Sequence, residues 1–403
     1  MVFIRICCLT VFVLSGSLLA QERRTAQYYF EKGEAAATAH SYKTALAHFN
    51  ECLRLEPYFM QAYFSRAQVR EAMGDKQGAL TDYNIFLERN PENKEALLSR
   101  AVSRFEFGQW AVAKEDFLAL LKLPTGGETN TIFFQTQKAD EGASRAFSTG
   151  NNLRPLFYDY LGQIELKLKS YEQARVYFDS AILLAPGQHN FYLGRGLAYQ
   201  HAGDTSRART DFETVLRLDN TNSLARHNLA LLSGNQPTAE AEQMLTEAIA
   251  ANPKLPYSYA ERGLMRLNTG NYAAALSDYN EAIKLEPDNY DYYLNRGLIK
   301  ERAKDLTGAL ADYKRVITLK PDYEKGWLSH GNVMVKLNRL AEAIEDYTTA
   351  ITYYPDYGLA FYNRAQAWHR LGKLAEACSD LHKAKTRGVA IPPKVEETIC
   401  KGN

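Results

Sequence analysis

PYSYAERGLMRLNTGNYAAALSDYNEAIKLEPDN, residues 256–289, carries the pattern that indicates the fold class. It holds two segments of helical pattern on either side of Gly270-Asn271, a dipeptide that favours a tight turn. Pro287 follows the second segment, and proline ends a helix because it lacks a backbone N–H and disfavours helical geometry in the residue before it. The stretch therefore predicts two short helices joined by a turn.

The same pattern recurs ten times, and a residue within the first helix of each unit defines the register. This register position is small in every unit except one: Gly33, Ala67, Ala101, Gly162, Gly196, Leu229, Gly263, Gly297, Gly331 and Ala365. An alanine follows twelve residues later in all ten units, from Ala45 to Ala377, and a large apolar or aromatic residue follows four residues after that. Successive units are 33 or 34 residues apart, except for one step of 61 between Ala101 and Gly162.

This pattern resembles the tetratricopeptide repeat (TPR) family, whose unit is a helix-turn-helix of this period. The resemblance implies an all-α fold, a right-handed α-solenoid of about ten helix-turn-helix repeats. Units 1–3 are expected at residues 26–124 and units 4–10 at residues 155–388.

The small register residues have a physical reason of their own. Glycine inside a helix costs about 1 kcal/mol relative to alanine, so its recurrence argues for close contact between helices. The later alanine is expected to pack against this notch, and the aromatic residue is expected to fill the space between one hairpin and the next.

The step of 61 residues predicts a non-helical insert of 27 residues within the segment 125–154. Its core, TNTIFFQTQ, alternates well enough for a strand, so the segment forms either a small β-hairpin or an irregular loop. Four apolar side chains are the candidate contacts of the insert, either with the repeat array or with a partner: Ile132, Phe133, Phe134 and Phe147.

The N-terminus carries a signal-peptide pattern over residues 1–20. Arg5 precedes an apolar segment that is too short to span a bilayer, and small residues come before Gln21. An exported protein is expected, periplasmic, envelope-associated or secreted, with no integral membrane span after signal cleavage.

Cysteine use and charge add two expectations. Cys52 lies in a helical apolar segment and is expected to be a buried thiol, whereas Cys378 and Cys400 either pair or stay free. Residues 389–403 are expected to cap the last repeat, and a bond between these two cysteines would attach the cap. The 48 basic and 47 acidic residues give no reason to expect a nucleic-acid partner.

No pattern of residues points to an active centre or a metal site, so no enzyme and no cofactor are expected. The eight histidines show neither metalloprotease spacing nor clustering with cysteine or carboxylates. An arginine precedes the register position in six units and an aspartate follows sixteen residues later, as in Arg262 and Asp278. Because these pairs repeat with the structural period, they are expected to form a ladder of structural ion pairs within or between hairpins.

In TPR proteins the first helices line a concave groove. The residues three before and one after the register position form an apolar stripe there: Phe64, Leu98, Val102, Leu193, Leu197, Leu264, Leu294, Leu298, Leu328 and Tyr362. This stripe either binds a partner peptide or packs between first helices. The expected function is a non-enzymatic protein-protein interaction scaffold of the cell envelope, and the alternative is a glycan-binding envelope protein that uses exposed aromatic residues.

Overall fold

The structure, a computed structural model, describes residues 25–124, 153–232 and 238–400. Within these ranges all regular secondary structure is helical, in 21 helices that form two compact units. The first unit holds seven helices: α1 (Ala26–Thr38), α2 (Tyr42–Leu55), α3 (Met60–Ala72), α4 (Lys76–Arg89), α5 (Lys94–Glu106), α6 (Trp110–Lys122) and α7 (Arg154–Lys167).

The second unit holds the other fourteen helices of the described residues. They are α8 (Tyr171–Leu184), α9 (His189–His201), α10 (Thr205–Leu218), α11 (Ser223–Leu231), α12 (Ala239–Ala251), α13 (Pro256–Asn268), α14 (Tyr272–Leu285), α15 (Tyr290–Arg302), α16 (Leu306–Leu319), α17 (Glu324–Lys336), α18 (Leu340–Tyr353), α19 (Gly358–Arg370), α20 (Leu374–Thr386) and α21 (Pro393–Cys400). The first twenty helices are the predicted first and second helices of ten repeats, so the predicted α-solenoid is confirmed.

Local sequence explains where the helices of one repeat begin and end. Pro256 occupies the first turn of α13, where its missing N–H costs nothing. Gly270 adopts a φ of +80° in the inner turn, a left-handed conformation that glycine adopts without strain. The side chain of Asn271 then accepts a hydrogen bond from the Ala274 backbone N–H at 3.3 Å and caps α14.

The glycine of the register position and the later aromatic residue pack directly on each other. A Cβ atom on Gly297 would lie 2.7 Å from the ring of Tyr313, and one on Gly331 would lie 2.7 Å from the ring of Tyr347. Both tyrosines are buried, with 1% of their surface exposed. The aromatic side chain of the same hairpin therefore fills the notch, and the prediction that the alanine does so is wrong. The alanine, Ala309 in the first case, is fully buried.

The C-terminal helix α21 covers the last hairpin. Ile399 is buried in a cluster with Ala365, Ala377 and Leu381. A disulfide joins Cys378 in α20 to Cys400 in α21, with 5.1 Å between the Cα atoms. Cys52 is a buried free thiol, and burial raises its pKa to about 11.

Two predicted segments lie outside the described residues. They are the signal peptide at 1–20 and the insert with Ile132, Phe133, Phe134 and Phe147. Arg154, the last residue of the predicted insert, is the first residue of α7 and extends the helical array by one residue. Across the described ranges, no helix is both long and apolar enough to cross a membrane.

Candidate protein-binding face

Some first helices of successive hairpins contact each other: α1 and α3 in the first unit, and α13 and α15 as well as α17 and α19 in the second. We call the surface of the first helices within each unit the first-helix face. Ion pairs attach six of the ten first helices to neighbouring second helices.

Each predicted arginine and aspartate pair is formed. In the pair of Arg296 and Asp312, guanidinium Nη2 donates to Oδ1 at 2.6 Å and Nε donates to Oδ2 at 2.9 Å. The shortest N–O distances are 2.6 to 2.7 Å in all six pairs: Arg66–Asp82, Arg100–Asp116, Arg195–Asp211, Arg262–Asp278, Arg296–Asp312 and Arg364–Asp380. The aspartates are buried, and in five of the pairs a second cation, such as Lys300 at 2.8 Å from Asp312, also contacts the carboxylate.

Each of these arginines also reaches the preceding hairpin. Arg296 Nη1 donates to Asn280 Oδ1 at 2.8 Å. The partners in the other five cases are likewise sixteen residues before the arginine: Asn50, Asn84, Asp179, Thr246 and Thr348. The predicted ladder is confirmed, and it connects hairpins as well as the two helices within each hairpin.

The ninth repeat contains a variant of this pair that the sequence analysis missed. His330 occupies the arginine position, and its Nδ1 lies 2.7 Å from Asp346 Oδ2. Both residues are buried. The register alone could have found this pair, since His330 precedes Gly331 and Asp346 follows sixteen residues after it.

Most residues of the predicted apolar stripe also pack between helices. Of the ten residues, Leu98 is buried, Leu264 is 36% exposed, and the rest are half-buried. The Phe64 ring lies 5.0 Å from that of Phe86 in the first unit. In the second unit Leu193 and Leu197 pack on the cluster around Phe212, and Leu328 packs on the cluster around Tyr347.

Polar side chains complete the face beside this stripe, and the sequence analysis did not single them out. Asn332 Oδ1 accepts hydrogen bonds from the Tyr347 hydroxyl and from Asn363 Nδ2, each at 2.8 Å. The second bond links α17 directly to α19. Asn332 occupies the same register position as Leu298 and Asn363 follows Tyr362, so the repeat pattern places both asparagines beside the predicted stripe.

A carboxylate plays a similar linking part in the first unit. The Tyr83 hydroxyl donates to Glu71 at 2.7 Å, and Ser103 Oγ donates to the other oxygen of Glu71 at 3.1 Å. Burial raises the pKa of Glu71, while these two hydrogen bonds favour the charged form. Because Ser103 belongs to the next hairpin, this contact also connects α3 to α5.

A cavity of about 330 Å³ lies at the junction between α18 and α19. It is lined by Glu324, Tyr353, Tyr354, Pro355, Asp356 and Tyr357. Tyr353 and Tyr354 are 47% and 41% exposed, so their rings are accessible from solvent. Burial raises the pKa of Tyr357 to about 12, so its hydroxyl is a neutral hydrogen-bond donor near pH 7.

The expectation that no histidine clusters with cysteine is wrong at one place. His382 lies one turn after Cys378 in α20, with its Nδ1 3.7 Å from Cys378 Sγ. Residues i and i+4 of a helix lie on the same face, so the sequence spacing of Cys378 and His382 predicts that they are close. Cys400 belongs to α21, and its approach to these two residues cannot be predicted from that spacing.

Comparison with known proteins finds two family models that match the chain. The model described as "Tetratricopeptide repeat" matches residues 64–128, 161–223 and 261–324, and that described as "TPR repeat" matches residues 331–372. Together they match more than half of the 403 residues. Human (Homo sapiens) tetratricopeptide repeat protein 6 is 29% identical over 123 residues, which are 30% of this chain and 24% of that protein. The matched part thus spans about a quarter of the length of this relative.

Three solved structures are similar over much or all of their length. The APC/C hetero-tetramer Cut9-Hcn1 is 13% identical, with a TM-score of 0.43, over 93% of this chain and 96% of that chain. YrrB, described as a TPR protein with an unusual peptide-binding site, is 18% identical, with a TM-score of 0.41, over 48% and 98%. PilW, described as a type IV pilus biogenesis factor, is 18% identical, with a TM-score of 0.46, over 51% and 95%.

Proposed function

We propose a non-enzymatic scaffold or adaptor function for this chain, which belongs to the tetratricopeptide repeat family. In this proposal the first-helix face of the second unit binds a peptide segment of a partner protein. The family fold is generally one of protein interaction, so the choice between sites depends on the residues that the face presents.

The observation that carries this proposal is the pair of Asn332 and Asn363 on adjacent first helices. Asn332 uses its carbonyl oxygen for two hydrogen bonds, and neither its amide nitrogen nor the Asn363 amide oxygen bonds to another described residue. One donor and one acceptor therefore stand free beside the half-buried side chains of Leu328 and Tyr362. Such a combination matches an extended peptide, whose backbone offers both polar groups and whose side chains cover apolar surface.

Selection from a peptide-display library, with the purified chain as bait, tests this site. The strongest peptide is then titrated against Asn363→Ala, which keeps the hydrogen bond between Tyr347 and Asn332. We expect binding to weaken about tenfold, equivalent to about 1.4 kcal/mol. Asn295→Ala is the matched control, because Asn295 has the same register position in α15 but donates to Asp291 O in its own helix. Equal loss in both variants, or in neither, would contradict the site.

The proposal also places the protein outside the cytoplasm, in the envelope or beyond it. Its support is the signal-peptide pattern of residues 1–20 together with the disulfide in the C-terminal cap, since disulfides persist in oxidising compartments. Intact-mass measurement of the chain expressed in a bacterial host tests this, with loss of residues 1–20 expected in the exported fraction. Recovery of the whole chain in the cytoplasm alone would contradict it.

A second candidate function, glycan binding, is favoured by the cavity lined by Tyr353, Tyr354 and Tyr357. Exposed tyrosine rings supply stacking surfaces, and the Glu324 and Asp356 carboxylates supply acceptors for sugar hydroxyls. A glycan array probed with the purified chain tests this function. Binding that disappears in Tyr354→Ala but persists in Asn363→Ala would assign the cavity to glycans and separate it from the first-helix face.

A further inference from the structure

Three potential metal ligands converge where the C-terminal helix is attached. Cys378 and His382 lie one turn apart on α20, so their side chains project from the same face of the helix. Cys400 approaches them from α21. One donor atom from each residue, the two Sγ atoms and a ring nitrogen, can be chosen so that all three lie within 4.8 Å of one another.

We propose that Cys378, His382 and Cys400 form a zinc site when the disulfide between the two cysteines is reduced. Zinc binds cysteine sulfur at about 2.3 Å and histidine nitrogen at about 2.0–2.1 Å with tetrahedral geometry, which separates the sulfur and nitrogen atoms by about 3.5 Å. The observed distance from Cys378 Sγ to His382 Nδ1 is 3.7 Å. This part of the site therefore needs almost no rearrangement.

The two sulfur atoms need to move. They are bonded to each other in the disulfide, whereas two thiolates on one tetrahedral zinc lie about 3.8 Å apart. The sulfur atoms therefore separate once the bond is reduced. Because His382 is exposed and both cysteines are only half-buried, the ion can enter from solvent and water can complete its coordination.

The disulfide is replaced by a zinc site in two balanced steps. A dithiol reductant transfers two electrons and two protons to the disulfide, so one S–S bond breaks, two thiols form, and the reductant becomes a disulfide. Zn²⁺ then displaces one proton from each thiol, and two Zn–S bonds form together with one bond to the neutral imidazole. Two thiolates neutralise the charge of the ion, so no additional carboxylate is needed.

The surroundings are compatible with a cation. Lys385, three residues after His382 on α20, is paired with both oxygens of Glu396 at 2.9 Å. Lys383 lies 3.7 Å from the buried Asp380 carboxylate. Thiolates and imidazole select zinc over the calcium and magnesium ions that prefer oxygen ligands. The ion would replace the covalent link between α20 and α21 and keep the cap attached under reducing conditions.

The experiment uses the full chain in two states, oxidised and reduced with a phosphine that is then removed under nitrogen. Co²⁺ is added as a spectroscopic probe and displaced by Zn²⁺. We expect one ion per reduced chain, a thiolate-to-cobalt charge-transfer band, and no band for the oxidised chain. His382→Ala is expected to weaken the binding of Zn²⁺ at least about tenfold, because even indirect support of a metal ligand contributes that much.

Cys52→Ser is the matched control, since it removes the buried free thiol and leaves the three ligands in place. It should bind Zn²⁺ as the unmodified reduced chain does. The proposal fails if the reduced chain takes up no ion in competition with a weak chelator. It also fails if His382→Ala binds equally well, or if the oxidised chain binds to the same extent. Each of these results can be obtained without unfolding the chain, because His382 is exposed.

Discussion

Arg296 and Asp312 form a two-point ion pair inside one hairpin, while the same guanidinium also donates to Asn280 in the hairpin before it. One side chain thus fixes the two helices of its own repeat and the stacking of that repeat on its neighbour. In a repeat array stability is the sum of terms within units and terms between neighbouring units. This arginine contributes to both kinds of term.

Removal of the carboxylate is therefore predicted to be costly. Asp312→Ala leaves Arg296 and Lys300 without their buried counter-charge, and breaking a buried pair on one side costs about 3–5 kcal/mol. We expect urea unfolding, together with hydrogen exchange in α15 and α16, to show this loss. Asp288→Ala is the control, because Asp288 is 86% exposed and its pairing with Arg315 should contribute little. Similar losses in the two variants would show that burial of the pair has no special role.

Gly297 provides a second test of the packing between helices. A Cβ atom there would lie 2.7 Å from the buried Tyr313 ring, so Gly297→Leu is predicted to overpack the hairpin and cost about 1–3 kcal/mol. Even Gly297→Ala should destabilise, although alanine is the better helix former. Gly187→Ala is the matched control, since no atom lies within 4 Å of the added Cβ and its φ is not positive. An unchanged melting temperature in Gly297→Leu would contradict the close packing of Gly297 against Tyr313.

His227 predicts a dependence of stability on pH. It is buried in α11, with Nδ1 3.2 Å from Ser258 Oγ and its ring 4.7 Å from that of Tyr257. Burial lowers its pKa from the model-peptide value of 6.5 to about 4. Between these values the unfolded chain binds a proton that the folded chain does not. The contribution of His227 to stability is therefore complete above about pH 6.5 and is lost as the pH decreases toward 4, by an amount on the order of 3 kcal/mol.

Urea unfolding at pH 7.5 and at pH 5 measures this effect. His227→Gln cannot be protonated, so it should lose less stability than the unmodified chain on acidification. His369→Gln, a substitution at a half-buried position of α19, should keep the full dependence. If His227→Gln and the unmodified chain respond equally to pH, the buried imidazole is not the cause.

The period of the sequence predicted most of the fold for a physical reason. Nine of the ten repeats bury a small register residue, and all ten bury the later alanine and a large apolar or aromatic residue. The register of Gly263, Ala275 and Tyr279 therefore specifies a hairpin. The ladder of arginine and aspartate pairs followed from the same period. The polar link between Asn332 and Asn363 was not predicted, because it depends on which side chains meet when two particular repeats stack.

The apolar stripe shows where sequence reasoning stops. Leu98 and Leu294 occupy the same repeat position, three residues before the register position, yet Leu98 is 4% exposed and Leu294 is half-buried. A repeat position specifies the direction of a side chain but not how closely the next hairpin covers it. The contact of Cys378 with His382 was accessible from their spacing, whereas the approach of Cys400 required the path of α21.

The disulfide gives the last prediction, which concerns the stability of the cap. The bond between Cys378 and Cys400 closes a loop of 22 residues, for which constraint of the unfolded chain predicts a contribution of about 3 kcal/mol. In Cys378→Ser with Cys400→Ser, non-covalent contacts alone hold α21 against α20, among them those of Ile399 and the pair of Lys385 and Glu396. Hydrogen exchange should therefore accelerate in α20 and α21, while α13 and α14 keep their protection because repeats contact only their neighbours. Cys52→Ser, without any cross-link to lose, serves as the control for the loss of a thiol. Uniform acceleration across α13 to α21 would mean that the cap stabilises the whole array instead of its last hairpin.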